Sequence, residues 1–220
     1  PSPLTLGVHD LGRMPYAEAL GLQRDRQREV IDSRDPATGL ATRGHVLLVE
    51  DHDAVRDLIS EVGRDATRYF LSARRADSQL TFDIHLARSQ SNDNPVYYIQ
   101  YAHARICSVF RNLEEMDQRH NREIGSVALD LLGEEHELAL MRTISRFPET
   151  IESAARLRAP HLLAHYLHAL ATDLHSYYNA HQFLVKDENL RNARLNLILA
   201  TRTVLARGLG LLGVSAPEEM

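Results

Sequence analysis

Cysteine is nearly missing. Cys107 stands alone, which rules out an internal disulfide framework, and its apolar helical surroundings fit a small buried thiol better than a nucleophile or metal ligand. Lysine is as scarce: Lys186 is the single example among 25 Lys and Arg residues. Almost all positive charge is therefore guanidinium, which grips phosphate with two prongs and stacks on bases, although a GC-rich genome produces the same bias. Positive charge as a whole is in deficit. A net charge of −5 argues against a broad basic field for holding nucleic acid, because Lys and Arg neutralising phosphates supply most non-specific affinity. No uninterrupted apolar run reaches the roughly 18 to 20 residues of a membrane span, and residues 1–11 lack the basic-then-apolar layout of a signal peptide. These absences lead us to expect a cytoplasmic chain without membrane contact.

What is present is ordinary for a globular protein: 220 residues, 44% of them hydrophobic and 25% charged, room for one or two domains. Residues 34–44 (RDPATGLATRG) read as a loop. An amphipathic helix is expected before it, opening at Pro15 and carrying Ala19, Leu22, Gln23, Arg26 and Val30, and a short buried strand after it, at His45–Glu50. Everything beyond is helical in pattern. Asn94-Pro95 caps the clearest helix, with Val96, Ile99, His103, Ile106, Phe110 and Leu113 on one stripe. Pro160 opens a second, striped by Leu163, Leu167, Leu170, Leu174 and Tyr178, and a third runs from about Leu190 to Leu212 before Gly213 and Pro217. Shorter helices are expected at Arg64–Leu71, His136–Phe147 and Pro148–Arg156. Several helices joined by short loops imply an antiparallel bundle.

Two chemical readings fail on the residues themselves. His161, His165, His168 and His175 lie near one helical face, but zinc takes three or four ligands, usually with Cys or carboxylate help, and that set is missing, so no metal site is expected. Glu114-Glu115 and Glu134-Glu135 are neighbours in sequence, diverge around a helix and suit solvated faces rather than paired-carboxylate catalysis.

Periodicity alone goes no further than a helix bundle of unstated role. Five stretches carry more: EVGRDATRYF (61–70), DSQLTFD (77–83), SQSNDNPVYYIQYAHARICSV (89–109), LAHYLHALATDLHSYYNAHQFL (163–184) and LRNARLNLILATRTVLARGLGLLGVSAPEEM (190–220). In their order and spacing they resemble the C-terminal anticodon-binding domain of the arginyl-tRNA synthetases, from about Asp57 to Met220. The resemblance implies an all-α antiparallel helix bundle of the class I synthetase anticodon-binding type over 54–220, and the helix and strand expected before it make 1–53 a short α/β segment. It implies a monomeric module that grips the anticodon stem and loop of arginine tRNAs. Tyr178 and Met220 match the family's positions near the anticodon loop; Tyr101, His103 and Arg105 match its face beside the tRNA and the catalytic domain, and Asn94 is grouped with them. Without the resemblance, Tyr178 would be a core aromatic on its stripe and Met220 a frayed tail. Glu219, where the family often has a basic residue, puts negative charge near an expected phosphate.

The family's HIGH-type and KMSKS-type signatures do not occur in these 220 residues; HVLLVEDHD (45–53) stands where the second would fall. The resemblance therefore implies no catalytic residues, no bound cofactor and no ligase activity for this chain alone, the ATP and Mg²⁺ of the family belonging to its catalytic domain. VHDLGRMPYAEALGLQ (8–23) and GHVLLVE (44–50) resemble instead the lipoate-protein octanoyltransferases, but that family's RGG-type loop, catalytic lysine and catalytic cysteine have no counterparts. Two alternatives follow: an octanoyltransferase-like fragment, or a chimeric or truncated product without function. The N-terminal segment is expected to be loosely integrated, its strand HVLLVE lacking the sheet partners that the octanoyltransferase family would provide.

Overall fold

The computed structural model describes residues 5–10, 16–32, 43–48, 53–75 and 82–220. The chain divides into two compact units, 1–61 and 62–220, the division falling in the last turn of α2 (Asp53–Val62). In the first unit, β1 (Thr5–Asp10) and β2 (Arg43–Leu48) pair in parallel from Thr5 opposite Arg43 to Asp10 opposite Leu48. Parallel neighbours need a crossover, and α1 (Tyr16–Asp32) supplies it and packs on β2. The expectation of an unpartnered strand is thus corrected. Gly7 and Asp10 hide β1 in the sequence, because both residue types are depleted in strands. β2 begins two residues before the predicted start, at Arg43, while Pro15 and most of the predicted loop (34–42 of 34–44) lie outside the described residues.

The second unit is helical throughout its described residues: α3 (Arg64–Ser72), α4 (Ile84–Arg88), α5 (Pro95–Glu115), α6 (Arg122–Val127), a 3₁₀ turn at Leu129–Leu131, α7 (Glu135–Ser145), α8 (Phe147–Arg156), α9 (Pro160–Ala180) and α10 (Glu188–Leu212). The main starts are chemically marked. Asn94 accepts from Val96 N–H at 3.3 Å and donates its amide to the carbonyls of Ala87 and Ser89, which ties α4 to α5. Asn121 caps α6 and Asp187 caps α10 in the same way.

Three long helices build the core. α5 contributes Ile99, Ile106 and Leu113, α9 Leu167, Leu170, Leu174 and Tyr177, and α10 Leu195, Ile198, Leu205 and Leu209, all fully buried, while α7 and α8 pack on α9. By length and composition α10 also passes as a membrane span, since an 18-residue window averages a mean hydropathy of 1.3. Its buried face is nonetheless spoken for, lying against α5, α6, α7 and α9. Beneath the α9–α10 loop, Glu137 of α7, 0% exposed, accepts from Arg194 Nε at 2.8 Å and from the Tyr177 hydroxyl at 3.0 Å. Arg194 also donates to the Gln182 carbonyl at 2.8 Å, fixing the loop from inside.

α6 and α10 touch backbone to backbone at one point. A Cβ on Gly125 would sit 2.4 Å from the Asn192 carbonyl oxygen, an atom that cannot swing aside. Gly125→Ala is therefore expected to destabilise the helical unit by about 1 to 3 kcal/mol, the usual cost of overpacking. Gly208→Ala meets only the end of the Leu167 side chain and should cost less. Thermal melts of the two variants check the order.

Candidate nucleic-acid interface

Two helical faces converge on one cluster. Residues 98, 101 and 105 follow one another at three and four along α5, and 178 and 179 lie three and four residues after 175 along α9. The Arg105 guanidinium carbon lies 3.8 Å from the Tyr178 ring centroid and 5.3 Å from that of Tyr101, placing the cation between two aromatic faces. Its Nη1 donates to Nδ1 of His175 at 3.0 Å, and its Nη2 to Asn179 Oδ1 at 3.4 Å. Tyr97 stacks on Tyr101 with centroids 6.0 Å apart, and Phe183, from the α9–α10 loop, meets Tyr178 at 5.5 Å. Tyr97, Tyr101, Arg105 and Tyr178 are half-buried and Asn179 is exposed. The buried aromatic of this helix is the next residue along, Tyr177, at 0% exposure.

A different face of α5 holds the segment after α10. Gly213, at φ 69°, ends α10 in the left-handed conformation, with Val214 N–H bonded back to the Leu209 carbonyl in a Schellman arrangement. Beyond it, the Asp65 carboxylate accepts from the Ser215 amide and hydroxyl and from the Gln100 side chain. His103 donates from Nδ1 to the Pro217 carbonyl at 2.8 Å, and Arg111 binds the Glu218 carbonyl and the Glu219 carboxylate, at 3.2 and 3.3 Å. Met220 follows, 52% exposed.

The six predicted site residues therefore separate. Tyr101, Arg105 and Tyr178 form one cluster. His103 turns the other way and anchors the strap that carries Met220, and Asn94 is 3% exposed, its polar atoms engaged as a helix cap. Arg105 and Arg111, six residues apart, point about 120° from each other around α5. Tyr178 and Met220 thus belong to different faces of the helix. Sequence reading missed His175, one turn before position 178, and Asn179, the residue after it, as members of the cluster, and it missed the strap's anchors Asp65 and Gln100, which are distant in sequence. Among the described residues no group of three His, Cys, Asp or Glu side chains is placed to hold a metal ion.

Burial sets several ionisations. It lowers the pKa of His175, opposed by the Tyr98 carbonyl and aided by Arg105; it lowers His168 and His120 as well, and it raises the Cys107 thiol. Each histidine is neutral in the fold at pH values where the unfolded chain has already taken up a proton. Their contribution to stability is complete above the ordinary value of 6.5 and is lost as pH falls through the window below it. The melting temperature is accordingly expected to decline between pH 7.5 and 5.5, which thermal melts across that range check; a flat profile would contradict the burial of these rings.

The second unit is thus an all-helical bundle, with an arginine layered between tyrosines on its partly open surface. Residues 99–220, more than half of the chain, match the DALR anticodon binding domain, and the chain belongs to that family. It is 57% identical over 166 residues to the arginine–tRNA ligase of Thioalkalivibrio sulfidiphilus and 55% identical over 181 residues to that of Coxiella burnetii, covering 76% and 82% of this chain. The chain spans only 28% and 30% of those relatives' lengths. Arginyl-tRNA synthetase of Thermus thermophilus is a structural neighbour, with a TM-score of 0.61 and 28% identity, over 98% of this chain and 34% of that one. The octanoyltransferase likeness of residues 1–50 finds no support among these relatives.

Proposed function

We propose that this chain is the tRNA-binding module of an arginine–tRNA ligase, holding the anticodon stem and loop of arginine isoacceptors while a separate catalytic domain works on the acceptor end. The observation that carries this reading is the Tyr101–Arg105–Tyr178 stack. Splayed loop bases are recognised by aromatic faces and guanidinium planes, and here both are presented together on rigid helices. The cluster also answers the negative net charge: a cation placed where one loop docks does not require a basic field over the whole surface. In this reading the module is a cytoplasmic monomer that makes no membrane contact and binds no ATP, Mg²⁺ or other cofactor, those belonging to the ligase's catalytic domain. Arginine tRNA incubated with the chain should give a retarded band in a gel shift, competed by unlabelled arginine tRNA and not by an unrelated tRNA. Equal competition by both would reduce the proposal to non-specific RNA binding.

A further inference from the structure

We propose that His175 is a positioning residue of this RNA site: in its neutral Nε2–H form it holds Arg105 across Tyr178, so that a loop base stacks on a ring already backed by a cation. The inference rests on the tRNA-binding reading and names what sets up its stack. The two ring nitrogens of His175 have partners of opposite kind. Nε2 faces the Tyr98 carbonyl at 3.2 Å, an atom that can only accept, so Nε2 carries the proton. Nδ1 faces Arg105 Nη1 at 3.0 Å, a group that can only donate, so Nδ1 offers its lone pair. A second proton on the ring would set N–H against N–H, next to a guanidinium that is itself charged. His175 is 6% exposed, wedged between Tyr98 at 4.4 Å and Tyr101 at 5.7 Å, and has little freedom to turn away.

The groups around the ring leave this arrangement undisturbed. From α5 it faces Arg105, Tyr98 and Tyr101, and along its own helix His168 packs on the same Tyr98 at 5.3 Å. The carboxylates that reach α9 are taken up elsewhere, Glu137 by Tyr177 and Arg194 and Asp173 by Thr143, while α8 sends Phe147 to Tyr166. Arg105 in turn packs on Tyr178, as Phe183 does at 5.5 Å, and the base is received on the part of the ring that these two leave open. The arrangement reverses the usual effect of acid on RNA binding. Protonating a histidine beside RNA ordinarily strengthens the complex, whereas here it expels Arg105 from its place.

The test is binding of arginine tRNA to the whole chain at pH 7.5 and 5.5, for the wild type, His175→Gln and His175→Ala, with far-UV circular dichroism at both pH values to establish folding. Glutamine can donate to the Tyr98 carbonyl and accept from Arg105, and is expected to retain most of the affinity at pH 7.5. Alanine is expected to lose about 3-fold to 30-fold, the range of one cation–π contact, and to lose little further when Arg105→Ala is already present. On acidification the wild type should weaken relative to His175→Gln. The inference is overturned if His175→Ala folds and binds normally, if its penalty adds in full to that of Arg105→Ala, or if wild type and His175→Gln respond to acid alike. Should the alanine variant fail to fold, the acid response of the other two proteins decides. A wild-type chain that binds no tRNA at pH 7.5 would overturn the functional reading and this inference together.

Discussion

Replacing Glu137 by alanine is expected to cost the helical unit about 3 to 5 kcal/mol, because it leaves Arg194 as a buried charge without a counter-ion. Arg194 is 8% exposed, and Glu137 is its salt-bridge partner at 2.8 Å. The same carboxylate accepts from the Tyr177 hydroxyl, which burial and that negative neighbour push well above its ordinary pKa, and from the Glu134 amide at 3.1 Å at the start of α7. One truncation thus strands three donors. At roughly 2 to 4 °C per kcal/mol for a unit of this size, the melting temperature should fall by about 6 to 20 °C. The chain has no tryptophan, so far-UV circular dichroism is the natural probe. Glu137→Gln keeps a single acceptor oxygen, enough for Tyr177 and Arg194 but not also for the Glu134 amide, and removes the charge, so it should lie between the alanine variant and the wild type. An unchanged melt in Glu137→Ala would mean that Arg194 finds another partner. The consequence for function is indirect: Arg194 also fixes the Gln182 carbonyl, in the loop that sets Phe183 against Tyr178.

Tyr178→Ala should weaken tRNA binding about 5-fold to 150-fold, the equivalent of about 1 to 3 kcal/mol for one base stacked on one aromatic ring. Tyr178→Phe preserves the ring and should lose much less. The next residue supplies the control. Tyr177 is fully buried, so Tyr177→Ala should open a cavity costing about 3 to 5 kcal/mol and act on the melt first. The half-buried Tyr178 packs on Arg105 and Phe183, and its removal should move the melt only slightly. Paired measurements of affinity and melting temperature on both variants separate recognition from packing. Unchanged affinity in a normally folded Tyr178→Ala protein would remove Tyr178 from the site.

The long helices were legible because their signals are local. Asn94-Pro95 is a capped start wherever it occurs, and the stripes of α5, α9 and α10 repeat at the helical period. The stripe of α9 also contained a warning about Tyr178. Leu163, Leu167, Leu170 and Leu174 advance by four, three and four, and alternation then gives Tyr177, which is where the core lies. α4 and α6, five and six residues long, are too short to build a period, and Gly125, which lets α6 approach α10, reads as a breaker in isolation. The strap was illegible for another reason. Asp65 and Ser215 are 150 residues apart and Gln100 and Ser215 are 115 apart, and no local pattern records a hydrogen bond of that reach. For the site, resemblance supplied Tyr101, Arg105 and Tyr178, but only the packing of α5 on α9 brought His175 and Asn179 to them and turned His103 away.

If this bundle reads the anticodon loop, as proposed, chemical footprinting of arginine tRNA with and without the intact chain will show protection concentrated on the anticodon loop and the adjoining stem, and that loop protection will fade in Tyr178→Ala. Protection confined to the acceptor end, or a footprint identical in wild type and Tyr178→Ala, would contradict that reading.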